Sequence, residues 1–195
     1  MKKKERSVNI PTIEEVENEQ KRLRHRAVYQ RTLRGTIAVL LVVAAISVLV
    51  ATLWMPVLQI YGSSMSPTLE AGQIVVSVKT NQLKTGEVVA FWQGNKLLVK
   101  RVIAGPGQWV DIDMDGNVTV DGKELTEDYL DVKALGNCDV ELPHQVEESR
   151  WFLMGDNRDV SVDSRSAAIG DVSKDQIEGK IVFRIWPLKE FGSMQ

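Results

Sequence analysis

Histidine and cysteine are nearly absent from this 195-residue chain, which has two histidines, His25 and His144, and a single cysteine, Cys138. One cysteine excludes an internal disulfide framework and any cysteine-rich zinc site. Two histidines, one in a basic N-terminal segment and one beside Pro143, leave little material for a Ser/His/Asp relay. An overall excess of one charge is also missing, the net charge being −2. No internal repeat or low-complexity tract occurs. No cofactor, no metal and no nucleic-acid partner is expected.

Charge is missing altogether from residues 36–54, TIAVLLVVAAISVLVATLW, 19 consecutive positions. That length approaches the ~20 residues that a helix needs to cross the hydrocarbon of a bilayer. A cleavable signal peptide has a shorter apolar region of about 7–15 residues close to the N-terminus. This run begins 35 residues in and ends in TLWMP, so an uncleaved anchor is expected, with the lipid bilayer as partner.

Charge is unevenly shared along the chain: residues 1–35 hold ten Lys/Arg and five Asp/Glu, a local charge of +5. The next basic residue after the apolar run is Lys79. Positive charge concentrates on the cytoplasmic side of single spans, so the N-terminus is expected in the cytoplasm and the remainder outside. Thr12 and Glu15 have capping-box spacing, and the Glu- and Arg-rich stretch behind them reads as a solvated helix or a disordered tail.

Beyond residue 57 the texture changes to short β-like runs such as QIVVSVKT, EVVAFW, KLLVKRVIA, RWFLMG and KIVFRIWPL. They are broken by turn pairs including Gly94-Asn95, Asp115-Gly116 and Asp121-Gly122. The fold class expected is therefore mostly β: a compact antiparallel β domain following one N-terminal transmembrane helix. The boundaries are a charged cytoplasmic tail at 1–35, the anchor helix at 36–56, the outer β-rich domain at 57–190 and a C-terminal tail at 191–195. Residues 123–149 read as a peripheral loop or hairpin.

Two weak motifs are set aside. Asp111, Asp113 and Asp115 imitate the start of a calcium loop, but the twelfth position, which should be Glu, is Gly122. Lys84-Thr85-Gly86 imitates a motif of penicillin-binding proteins, whose companion Ser-x-x-Lys is absent from the sequence.

Three stretches carry chemistry. GSSMSPTL, residues 62–69, crowds hydroxyls directly after the anchor. KLLVKRVIAGPG, residues 96–107, sets Lys100 inside an apolar strand, on one face with Leu98 and Val102, opposite Val99, Arg101 and Ile103. Burial lowers a lysine pKa. An unperturbed lysine is only about 0.04% neutral at pH 7, whereas one with a pKa near ~8 is about 10% neutral, so lysine can then act as the missing base. Taken alone, Lys100 reads first as a lysine at a strand edge with its stem packed and its amine in water. GDNRDVSVDSR, residues 155–165, reads alone as a solvated turn, yet Asp163 and Arg165 suit a charge-assisted pair and Ser161 offers a hydroxyl to orient an amine.

In combination, and with IEGKIVFRIWP near the C-terminus, these stretches closely resemble the type I signal peptidases, the leader peptidases of bacteria. The resemblance runs from the anchor to about Pro187. It implies a membrane-bound serine endopeptidase that removes signal peptides from preproteins at the outer face of the cytoplasmic membrane. It also implies Ser64 as nucleophile and Lys100 as general base. Ser161 would hydrogen-bond the Lys100 amine, Asp163 and Arg165 would brace the site, and the Ser64 N–H would be one oxyanion donor. Some members have a serine that donates a second such bond where this chain has Gly62; members of Gram-positive type also have glycine there. Val160 stands where the family usually has Asn. A preference for Ala-x-Ala sites implies small apolar pockets, for which Ile60, Met65, Leu98 and Val99 are candidate walls. Two alternatives are a degenerate membrane-anchored β module that binds exported chains without cutting them, and a Ser/Lys self-cleaving repressor. The apolar run occupies the place where the latter would carry its DNA-binding domain.

Overall fold

The uncharged run forms the end of one helix, α1 (Ile13–Trp54), in a computed structural model that describes residues 12–80 and 82–194. The first eleven residues of the expected N-terminal tail, Asn81, and Gln195 of the expected C-terminal tail lie outside the described residues. Thr12 caps the helix: its N–H donates to Glu15 Oε2 at 2.9 Å and its Oγ1 accepts from the Glu15 N–H at 3.4 Å. That reciprocal pair satisfies two donors that the first turn otherwise leaves free. Of the two forms left open for the Glu- and Arg-rich stretch, the solvated helix is the one found. It runs without a break into the apolar segment and stops at Trp54, two residues before Pro56. Pro56 supplies no N–H to continue the ladder.

Two units divide the chain, Met1–Val50 and Ala51–Gln195. The second is built on antiparallel strands: β1 (Val57–Gln59), β2 (Ile74–Val78), β3 (Val88–Gln93), β4 (Lys96–Ala104), β5 (Trp109–Ile112), β6 (Val118–Val120), β7 (Lys123–Glu124), β8 (His144–Gln145), β9 (Arg150–Met154), β10 (Val172–Ser173), β11 (Ile177–Trp186) and β12 (Gly192–Ser193). One sheet has the order β1-β2-β11-β3-β4-β9-β10, with β12 paired to β11, and the other the order β7-β6-β5-β8. The Gly94-Asn95 turn joins β3 to β4 in register, Gln93 facing Lys96 and Val88 facing Arg101.

Among the described residues, three apolar clusters form the core. Ile103, Val110, Val118 and Phe152 join the two sheets. Ile60, Met65, Leu69, Val75 and Ile181 pack on one face of the larger sheet, and Val89, Phe91, Val102 and Leu153 on the other. β4 contributes to all three, because its side chains alternate between faces.

The segment 123–149 is less peripheral than its sequence suggests. Leu125, Leu135, Val140 and Leu142 pack against the first cluster, and Glu127 is buried. Its strands are the short β7 and β8 at its two ends, and between them the carbonyls of Ala134 and Leu135 accept from the Arg165 guanidinium.

Candidate active site

The turn at residues 62–69 is held by backbone bonds, Ser66 N–H to Ser63 O at 3.1 Å and Leu69 N–H to Met65 O at 2.8 Å. Met65 and Leu69 point into the core, so Ser64, between exposed Ser63 and buried Met65, stays half-exposed. Lys100, in the middle of β4, donates from Nζ to Ser64 Oγ at 2.7 Å. The lysine is 3% exposed. Burial lowers its pKa from 10.5 to about 8; Asp163 opposes that shift, Arg165 adds to it and Asp156 opposes it. Desolvation penalises the ammonium more than the neutral amine, which makes an amine able to accept a proton near neutral pH.

The turn at residues 155–165 closes the site from the other side. Asn157 N–H donates to Ser64 O at 3.1 Å, fixing the backbone of the serine itself. Asp163 accepts from Gly155 N–H at 2.9 Å through Oδ2, and from Arg165 Nε at 2.8 Å through Oδ1. Burial pushes the Asp163 carboxyl upward, but the hydrogen bond and charge of Arg165 outweigh it and hold the group below its ordinary value. It is therefore a carboxylate, and Arg165 is wholly buried beside it. Arg165 also donates to Leu135 O at 2.6 Å and Arg158 O at 2.9 Å, which ties the turn to the segment beneath it.

Ser161 departs from the role that the resemblance implies for it. Its buried Oγ makes no bond to the Lys100 amine and instead helps to hold the Asp163 carboxyl below its ordinary value, so the Lys100 amine has Ser64 alone as its hydrogen-bonding side chain among the described residues. The space between the two serines is taken up by Gly155. A Cβ built there meets Ser161 Oγ at 2.2 Å and Ser64 O at 2.5 Å. Gly62 has φ +79°, a left-handed conformation that glycine adopts without strain and serine does not. The Ser64 N–H donates to no acceptor among the described residues.

Ile60, Met65 and Val99 come together in one apolar cluster, on one face of β4. Leu98 instead packs on the other face with Val89, Phe91 and Val102, because adjacent strand residues point to opposite sides. Val160 is exposed and lines none of this. His144 is engaged elsewhere, its Nε2 3.0 Å from Asp171 Oδ1.

Two buried ion pairs beside the site are absent from the sequence-based picture. Arg101, next to Lys100, makes a two-pronged contact with Asp156, Nε to Oδ1 at 2.9 Å and Nη2 to Oδ2 at 2.6 Å. It also donates to Gly86 O and Thr68 Oγ1 and lies 3.8 Å from the centre of the Tyr129 ring. Arg158 pairs with Glu127, whose Oε1 also accepts from the Tyr129 hydroxyl at 2.7 Å. A buried guanidinium requires a carboxylate close by. Arg101, flanked on its own face by Val99 and Ile103, carried that signal, although its partner was not identifiable from spacing.

The signal peptidase, peptidase S26, family model matches residues 33–186. The chain belongs to this family. Signal peptidase IB of Staphylococcus aureus (strain COL) is 39% identical over 153 residues, covering 68% of this chain and 78% of the relative. Signal peptidase I of Bacillus licheniformis is 32% identical over 169 residues, covering 78% and 88%. A crystal structure of a signal peptidase I from Enterococcus faecalis overlaps 52% of this chain and 98% of its own, at 25% identity and a TM-score of 0.43. The protein is thus a hydrolase of the serine peptidase class.

Proposed function

We propose that this signal peptidase family member is anchored by α1 in the cytoplasmic membrane, N-terminus inward, and cuts preproteins after Ala-x-Ala sites with Ser64 as nucleophile and Lys100 as general base. The observation that carries this reading is the 2.7 Å contact between Lys100 Nζ and Ser64 Oγ, made by a buried lysine.

Ser64 Oγ attacks the scissile carbonyl carbon while Lys100 removes its proton. The Ser64 N–H, free of intramolecular acceptors among the described residues, donates to the developing oxyanion. Lys100 then gives its proton to the leaving amine, the C–N bond breaks, and an ester on Ser64 remains. Water, deprotonated by Lys100, hydrolyses that ester and restores Ser64. Asp163 and Arg165 hold the turn that carries Asn157, and through it Ser64.

The signal peptide lies extended along β4. Residues 96–100 of β4 pair with β3 on one side only, since β9 begins pairing at Arg101 opposite Met154. An open edge of this kind accepts an added strand, and pockets beneath it read alternate side chains. Ile60, Met65 and Val99 supply an apolar wall for small residues.

The test compares wild type, Ser64→Ala and Lys100→Ala on a membrane-reconstituted preprotein with an Ala-x-Ala site. Loss of processing by about a thousandfold or more is expected for both variants. Undiminished processing by either one overturns the assignment of that residue.

A further inference from the structure

A cavity of about 220 Å³ opens beside the turn that carries Ser64, lined by Ser66, Asp131, Val132, Asp156, Asn157, Arg158 and Asp159. It belongs to the same turns that hold the nucleophile: Ser66 is two residues beyond Ser64, and the Asn157 N–H is bonded to Ser64 O. Nothing in the chemistry derived above uses it.

Its place follows from the topology of β4. A peptide extended along the open edge at residues 96–100 reaches Arg101 and there meets Met154, the last residue of β9. It has to leave the sheet at that point, and the chain that follows Met154 is the Gly155–Asp159 turn lining the cavity. The strand side of Ser64 is apolar, walled by Ile60, Met65 and Val99. The cavity side adds charge to an apolar patch: Asp131, Asp156, Arg158 and Asp159 surround Val132.

A substrate cut at Ser64 therefore has its signal peptide on the apolar side and its mature part on the other. Resting on the peptidase reading, we propose that this cavity receives the first residues after the scissile bond and selects cationic side chains among them. Its charges give the selectivity. Asp156 is neutralised by Arg101, and Arg158 by Glu127. Asp131 and Asp159 have no cationic partner among the described residues, and both are exposed to an incoming chain. They leave the cavity net negative. The volume suits one or two side chains rather than a whole ligand, for which pockets run from about 300 Å³ upward.

The experiment uses the full chain in detergent or vesicles with three preproteins that are identical up to the cut and carry Ala, Lys or Glu at the second position after it. For wild type, kcat/KM for Lys is expected to exceed that for Glu by about two- to fivefold, the range exposed ion pairs support. In the Asp131→Asn/Asp159→Asn double variant that ratio falls towards one. Raising salt from about 0.05 M to about 0.5 M shrinks the wild-type ratio as well, a readout independent of any variant. Equal rates on Lys and Glu by wild type, or a ratio unchanged in the double variant, overturn the inference while leaving the peptidase reading intact. Failure of wild type to cut even the Ala substrate overturns the peptidase reading, and the inference with it.

Discussion

Lys100 Nζ lies 2.7 Å from Ser64 Oγ, although 36 residues separate the two in the chain. The contact joins a sheet strand to the turn that precedes β2, and the lysine is buried where it is made. A lysine in that position takes the proton of Ser64 only when it is neutral. With its pKa lowered to about 8 by burial, kcat/KM should rise with pH from about 7, where roughly a tenth of the amine is neutral, to a plateau near 9, about a tenfold gain. A pH–rate profile checks this. A limb centred near the ordinary histidine value of about 6.5 would contradict it.

The same burial predicts a cost in stability. The folded-state pKa of Lys100 lies below its unfolded value of 10.5, so between about pH 8 and 10.5 the unfolded chain binds the extra proton. Stability therefore rises with pH across that window, and below about pH 8 the penalty is present in full. The gap corresponds to about 3 kcal/mol. Lys100→Met should be inactive yet more stable near pH 7, by up to about 3 kcal/mol, with the gain vanishing above pH 10.5. Denaturant unfolding of the two proteins at both pH values decides it.

Gly155 is the tightest point of the site, since an added Cβ meets Ser64 O at 2.5 Å and Ser161 Oγ at 2.2 Å. Neither side can yield easily: the Ser64 carbonyl is backbone, and the Gly155 N–H is held by Asp163. Gly155→Ala should destabilise by about 1–3 kcal/mol and push Ser64 away from Lys100. A displacement of about 1 Å costs on the order of a hundredfold in rate. Thermal unfolding and kcat measured together test both halves, and an unchanged kcat would show that the turn does not position the serine.

The two stretches that meet at the Ser64–Lys100 contact stood out in the sequence because each is a local pattern, whereas which serine faces which lysine across 36 residues came only from the resemblance to the type I signal peptidases. An apolar strand with one lysine at an inward position, and a turn dense in hydroxyls after a charge-free run, are patterns that spacing alone displays. The start of the helix was legible too, since Thr12 and Glu15 are three residues apart. Pairings at long separation were not. The Arg101 partner is 55 residues away and the Arg158 partner 31, and nothing in the periodicity of either segment selects those carboxylates. The same reason hid the role of residues 123–149, whose middle, between β7 and β8, is tied down by the distant Arg165. Leu98 and Val99, both candidate pocket walls, pack in different clusters on opposite faces of β4, as strand alternation requires.

Arg101 and Asp156 are both almost fully buried, so removing one partner strands the other charge. Asp156→Asn should cost about 3–5 kcal/mol, far more than an exposed pair would. Because Arg101 follows Lys100 directly and also holds Thr68 and Gly86, activity should fall beyond what the loss of folded protein explains. Equilibrium unfolding combined with kcat at a temperature where the variant is folded separates the two effects.

Ser161 is buried, and its hydroxyl, which contributes to the lowering of the Asp163 carboxyl, makes no well-formed hydrogen bond; a buried hydroxyl short of partners costs about 1–3 kcal/mol. Ser161→Ala should then leave stability unchanged or raise it by about 1 kcal/mol. If the hydroxyl turns to the Lys100 amine once Ser64 is engaged with substrate, the same variant should lower kcat and shift the lysine limb of the pH–rate profile. A merely structural hydroxyl would move neither. Stability lost on substitution would show instead that Ser161 has a partner in solution, and an unshifted pH profile would remove it from the chemistry of Lys100.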